Sequence, residues 1–175
     1  AAKTGDEAGV TRNEQRVALA DDCYLFDTPG VLWPRIVVPE SGTLLAASGA
    51  VGRNAYDDET VALDLLDLLK VAYPALLEER YRFGLDAAAL AQAHADGLME
   101  TIGRQRGALV AGGRVNLTKA AELVIADFRQ GHMGRITLET PEQFGRWLAA
   151  GQRADAEREQ ARQARGPARP KPRRR

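Results

Sequence analysis

The stretch Leu25-Phe26-Asp27-Thr28-Pro29-Gly30 holds the residue types and spacing that could do chemistry. An apolar run ends in an aspartate, and a glycine follows three residues later. A carboxylate fixed at the end of a strand is a hard oxygen ligand of the kind Mg²⁺ takes. Only a glycine lets the backbone approach a phosphate closely. The pair is therefore suited to a metal-bound phosphate. The same residues also read as a strand followed by a Thr-Pro-Gly turn, which involves no chemistry.

Other segments add to the first reading. Asp27-x-x-Gly30 resembles the second switch motif of P-loop GTPases, where the carboxylate holds Mg²⁺ through water and the glycine N–H donates to the γ-phosphate. Gly9-Val10-Thr11, just before a predicted hairpin, suits the first switch loop, whose threonine meets Mg²⁺ and the γ-phosphate when GTP is bound. Asp27-Thr28-Pro29-Gly30-Val31-Leu32-Trp33-Pro34 reads as one unit. With Lys3-Thr4-Gly5-Asp6 and Gly9-Val10-Thr11, it resembles the circularly permuted GTPases of the ribosome biogenesis GTPase A family (YlqF-like). A second series lies downstream. It runs through Ile102-Gly103-Arg104-Gln105-Arg106-Gly107, Gly112-Gly113, Ala121-Glu122-Leu123, Asp127-Phe128-Arg129-Gln130-Gly131 and Gly134-Arg135-Ile136-Thr137-Leu138-Glu139. That series is similar to the family's C-terminal helical domain, and the matches together span residues 1–140.

The resemblance implies GTP and Mg²⁺ as cofactors. Thr11, Asp27 and Gly30 become the contacts to Mg²⁺ and the γ-phosphate, with Thr11 and Asp27 at the metal. It also implies GTP hydrolysis in the complete protein, assistance to assembly of the large ribosomal subunit, and contact with rRNA through the helical domain. Arg104, Arg106, Arg114, Lys119, Arg129 and Arg135 fall in the matching segments and become the implied RNA-binding residues. Such side chains act mainly on phosphate and shape. Without the resemblance they read as surface cations paired with the chain's many acids.

The chain departs from a working GTPase in several respects. A P-loop, Gly-x-x-x-x-Gly-Lys-Ser/Thr, is absent, and so is a base-reading Asn-Lys-x-Asp. In the permuted family both precede the switch motifs. There is no initiating Met, and the first motif begins almost at residue 1, so an N-terminally truncated member is expected. Where many regulatory GTPases place a glutamine after the switch glycine, this chain has Val31, whose side chain cannot orient water. The family likewise carries a hydrophobic residue there and recruits another catalytic group, which is not among the matched positions; no catalytic base is assigned. The alternative reading is a helical RNA- or ribosome-binding module with a vestigial switch segment and no hydrolysis of its own.

Composition agrees with a soluble, globular body. In 175 residues, 45% are hydrophobic and 27% charged, enough for one or two domains with a real core. No apolar run reaches the roughly 18–20 residues that span a bilayer, and no signal segment is visible. Cys23 is the only cysteine, which excludes an internal disulfide or a cysteine metal cluster. A cytoplasmic monomer is expected, with no membrane and no DNA partner. The net charge of zero hides an asymmetry: residues 152–175 hold nine Lys/Arg and three Asp/Glu, so a +6 tail follows a −6 body. A basic tail on an acidic body is a footprint of polyanion contact.

The expected fold is α+β and mostly helical: an incomplete P-loop GTPase α/β remnant followed by an all-α C-terminal domain. The remnant spans 1–40, a linker 41–56, the helical RNA- or ribosome-binding domain 57–150, and a basic, disordered tail 151–175. Gln15–Leu19 and Cys23–Phe26 read as a hairpin, with Cys23 packed in the second strand. Ser41 is expected to cap a short helix ending at Gly49. Asp57 or Asp58 starts the longest apolar-periodic helix, with Val61, Leu65, Leu68, Leu69 and Ala72 inward, and Pro74 ends it. A short helix follows over 75–81. Asp86 caps a helix that carries His94 and closes at Gly97, and Leu98–Arg106 forms another segment. His94 and His132 read as surface or packing histidines. Gly107–Gly113 reads as loose. Asn116 caps a helix with Ala120, Ala121, Val124, Ile125 and Phe128 inward, stopped by Gly131. Thr140-Pro141-Glu142-Gln143 is a capping box, and a polar helix could extend over 152–165.

Overall fold

Four short polar side chains standing before apolar-periodic runs fix where four helices begin. The computed structural model describes residues 15–27 and 36–164. In it Asp57 accepts the Thr60 N–H at 2.8 Å, Asp86 accepts that of Ala89 at 2.8 Å, and Asn116 accepts that of Lys119 at 3.0 Å. Thr140 and Gln143 close a reciprocal box, each side chain accepting the other's backbone N–H at 3.2 and 2.8 Å. The elements are β1 (Gln15–Ala20), β2 (Cys23–Asp27), α1 (Pro39–Ser48), α2 (Asp58–Ala72), α3 (Pro74–Tyr81), α4 (Ala87–Gln92), α5 (Ala95–Gln105), α6 (Leu117–Arg129) and α7 (Pro141–Ala164), with one 3₁₀ turn at Arg53–Ala55. The described chain is thus mostly helical with a two-stranded sheet, as expected. Among the described residues no helix is long and apolar enough to cross a membrane.

Helix α2 is the centre of the body and packs against α1, α3, α4, α5 and α6. Its buried residues are Val61, Ala62, Leu65, Leu66 and Leu69. This stripe is broader than the expected one: Ala62 and Leu66 join it, whereas Ala72 is exposed. A helix with neighbours on several sides buries more than one narrow face. Each buried leucine contributes on the order of 1.5–3 kcal/mol. Small residues meet α2 from both sides, Ala46 and Ala47 of α1 and Ala120 and Ala121 of α6, all fully buried or nearly so. At Gly103 of α5 a Cβ would collide with the Val115 side chain and sit 3.1 Å from the Ala120 Cβ, so this crossing requires a glycine.

Several boundaries differ from expectation. Helix α1 starts at Pro39, the residue after its cap Val38, and Ser41 lies inside its first turn. Proline is pre-organised for that first position, and no side chain caps the end. The stretch 41–56, read as a linker, carries most of α1 and the 3₁₀ turn, and its Ala46 and Ala47 are core residues. Helix α4 ends at Gln92, because Ala93 turns extended (φ −65°, ψ 146°). His94 therefore precedes α5 rather than sitting in α4, and Gly97 lies within α5 rather than closing a helix. The segment 107–113 is not loose: Val110 N–H donates to Arg114 O at 2.9 Å, Asn116 N–H to Ala108 O at 2.8 Å, and Leu109 pairs with Val115. Helix α7 continues as a polar helix over 151–164, and its buried Gly151 rests on the Val37 backbone.

The hairpin pairs β1 and β2 antiparallel, from Gln15 opposite Asp27 to Ala20 opposite Cys23, with an irregularity between Ala18 and Ala20. Asp22 supplies the left-handed residue of its turn at φ 66°. The Arg16 guanidinium lies 3.8 Å over the Tyr24 ring. Cys23 is exposed rather than packed, and Leu19, Leu25 and Phe26 are exposed as well. Among the described residues the sheet has only these two strands, and the neighbours Leu25 and Phe26, which point to opposite faces, are both exposed, so neither face is covered.

The α5 crossing gives a paired test. Gly103→Ala should lower stability by about 1–3 kcal/mol, the cost of overpacking. Gly97→Ala, six residues earlier in the same helix with nothing within 4 Å of the added carbon, should be neutral or raise stability by up to about 1 kcal/mol. Urea midpoints of the two variants decide it, and equal shifts would contradict the close crossing.

Candidate functional site

Asp27 is the last residue of β2. Thr11 and Gly30 lie outside the described residues, as do Val31 and Trp33. No group of three or more His, Cys, Asp or Glu among the described residues could hold a metal ion. Of the implied Mg²⁺ ligands, then, only Asp27 falls in the described part.

The six implied RNA-binding residues divide by what already holds them. Arg129 ends α6 and reaches across to α1. Its Nε donates to Ala47 O at 3.0 Å, and one terminal nitrogen donates to Ala46 O at 2.7 Å and to the Tyr56 hydroxyl at 2.8 Å. Gly49 ends α1 in the left-handed region (φ 83°), where a Cβ would press on the Arg129 Nε at 3.3 Å. Arg129 is thus a structural tie. Arg104 pairs with Glu100 one turn back at 2.6 Å, and Arg106 reaches Asp127 at 3.3 Å. Arg114, Lys119 and Arg135 are exposed and make no side-chain hydrogen bond or ion pair among the described residues. The six do not form one cluster.

A cluster that spacing did not reveal lies around Asp127, in the last turn of α6. Arg80 of α3 binds its carboxylate with two parallel bonds, Nε to one oxygen at 2.9 Å and a terminal nitrogen to the other at 2.6 Å. Arg106 and the His132 Nδ1, at 3.2 Å, complete the ring. The Asp127 side chain is only 13% exposed. Burial pushes its pKa up, but the hydrogen bonds from Arg80 and His132 outweigh burial and hold it below the usual carboxylate range. The Tyr81 hydroxyl is buried with no partner at hydrogen-bond distance, and burial together with the nearby Asp127 charge pushes its pKa up. Arg80 and Asp127 are 47 residues apart, so no local pattern announces the pair.

Beside this cluster opens a cleft of about 510 Å³ between the end of α3 and the turn after α6. Leu76, Met133 and Gly134 form its apolar part, and Arg80, Arg82 and His132 supply its cationic and polar groups. Glu79 is the one acid along it. A second cavity of about 540 Å³, almost wholly apolar, lies where Leu44 and Leu45 of α1 face Phe144 and Leu148 of α7.

No family model matches the chain. Among curated proteins, ribosome biogenesis GTPase A of Bacillus cereus is 37% identical over 144 residues, 82% of this chain and 47% of that protein. Ribosome biogenesis GTPase A of Bacillus licheniformis is 38% identical over 141 residues, 81% of this chain and 48% of that protein. Mitochondrial ribosome-associated GTPase 1 of Xenopus tropicalis is 31% identical over 155 residues, 79% of this chain and 48% of that protein. The chain spans about half the length of the curated relatives it matches.

The Asp127 cluster sets a pH dependence. Its pKa is lowered by folding, so its contribution is present above the unfolded value, about 3.9, and is lost as pH falls through the folded value. Asp127→Asn should cost about 2–3 kcal/mol at neutral pH, toward the low end for a broken buried pair because Arg106 and His132 stay partly exposed. Thermal midpoints between pH 3 and 7 should fall less steeply below about pH 4 in the variant than in the parent. A parallel fall in both would mean that Asp127 carries none of the acid sensitivity.

Proposed function

The chain belongs to the ribosome biogenesis GTPase A family, and on that premise we propose that it is part of a GTP-binding protein that assists assembly of the large ribosomal subunit. The observation that carries this is the 37–38% identity over about four-fifths of the chain to proteins so named. In the complete protein the reaction is hydrolysis of GTP with Mg²⁺. Asp27 and Thr11 hold the ion, and the Gly30 N–H donates to the γ-phosphate. Placement of Asp27 as the last residue of β2 supports its role. Val31 orients no water, so the residue or ion that does so comes from outside the matched positions. Mg²⁺, when bound, neutralises charge on the phosphates.

The hairpin belongs to the GTPase portion, and the body from α1 onward is the portion that meets rRNA. Support for the second half is the basic tail after an acidic body and the free cations Arg114, Lys119 and Arg135. Contact made by such groups is mainly to phosphate, and it weakens steeply with salt.

The test uses the complete protein and a fluorescent GTP analogue. Asp27→Asn should weaken Mg²⁺-dependent nucleotide binding about 10–100-fold, as loss of a group that holds a metal through water does, and should leave binding without Mg²⁺ nearly unchanged. If the complete protein binds no GTP while it still binds large-subunit rRNA, the GTPase reading fails. The chain is then a helical RNA-binding module with a vestigial switch segment.

A further inference from the structure

We propose that the cleft between the end of α3 and the turn after α6 is a phosphate site for an RNA backbone, and that Arg82 is its principal contact. The inference rests on the reading of the helical body as an RNA-contacting part, and it names where that contact is made.

The first observation is backbone strain without a local use. Arg82 caps the C-terminus of α3 in the left-handed region, at φ 51° and ψ 56°. Helices that end this way usually place glycine or asparagine there, since a Cβ in that region costs about 1–2 kcal/mol. The turn does not depend on the arginine side chain. Arg82 N–H donates to Glu78 O at 2.8 Å, and the Glu78 carboxylate accepts the Gly84 N–H at 2.9 Å. The backbone and Glu78 hold the turn, and the exposed Arg82 guanidinium pairs with no acid among the described residues.

The second observation is what surrounds it. Arg80 lines the same cleft, locked in plane by its two bonds to Asp127, which leave its other terminal nitrogen unengaged by them. An arginine held this way is pre-organised to donate to an oxyanion. His132 faces the cleft from the opposite turn, and Arg135 follows Gly134, which lines it. The polar groups other than Glu79 are thus nitrogen-bearing cations or imidazole. No Phe, Tyr or Trp lines the cleft. Its cationic nitrogens suit a phosphodiester, as in recognition of folded RNA by backbone and shape.

Arg82→Gly separates this from a structural role. Glycine suits the left-handed position, so the variant should melt at the same temperature as the parent or higher. Its affinity for large-subunit rRNA transcripts, read by fluorescence anisotropy on the full chain, should fall about tenfold, as a lost charged hydrogen bond implies. The slope of log K against log salt should shrink by about one. Arg82→Lys should recover part of the loss. Unchanged affinity and slope in Arg82→Gly, with tight binding by the parent, would overturn the cleft assignment and leave the RNA reading in place. No binding by the parent at low salt would overturn the RNA reading and the cleft with it. Equal losses toward an acidic polypeptide of matched charge and toward the rRNA would also overturn the assignment, and would point to an acidic protein segment as the occupant.

Discussion

The last turn of α6 holds the helical body from two sides. Asp127 and Arg129, two residues apart, engage different neighbours: Asp127 fastens α3 and the end of α5 through Arg80 and Arg106, and Arg129 fastens α1 through two carbonyls. A helix C-terminus leaves carbonyls without intrahelical partners and carries partial negative charge, so a guanidinium there satisfies both needs. Each such charged hydrogen bond contributes on the order of 1.5–3 kcal/mol. The arrangement works only because α6 comes close to α1 and α2. Small buried residues, Ala46, Ala47, Ala62, Ala120 and Ala121, allow that closeness, and Gly49 leaves room for the guanidinium.

What could be read from the sequence follows from this architecture. Helix starts with a side-chain cap were legible, because Asp57, Asp86, Asn116 and Thr140 each satisfy an N–H three residues ahead. The start of α1 was not, because Pro39 begins it with no side-chain cap, and its buried residues are small alanines that give no strong period. The core role of 41–56 stayed hidden for the same reason: what buries Ala46 and Ala47 is α2 and α6, not anything local. Ala62 and Leu66 were missed because periodicity describes one face, whereas α2 is surrounded. The duty of Arg129 spans more than eighty residues of sequence, beyond any motif.

The same long-range pairings change how the basic residues are to be counted. A cation keeps for a phosphate only the donors its neighbours leave free, whatever segment it occupies. Arg129 spends its Nε and one terminal nitrogen on α1 and Tyr56, Arg104 and Arg106 are paired with acids, and Arg114, Lys119 and Arg135 make no such bond among the described residues. Of these three, Arg114 and Arg135 sit on turns between helices, and Lys119 lies in the first turn of α6. Turns 107–114 and 131–135 carry glycines in the left-handed region and their own backbone bonds, and the buried Ala108 and Met133 anchor them to the core.

The hairpin obeys a different constraint. The helical body closes its own core, but two strands alone are marginal in water, and Leu19, Leu25 and Phe26 stand exposed on this pair. A carboxylate at the end of β2 is useful at a metal only if the strand beneath it is held to within a fraction of an ångström. Two strands alone do not supply that rigidity. The two parts are thus unequal in what they can do on their own. The helical body closes a core of its own, whereas on the proposed reading Asp27 would serve a metal only within a larger sheet.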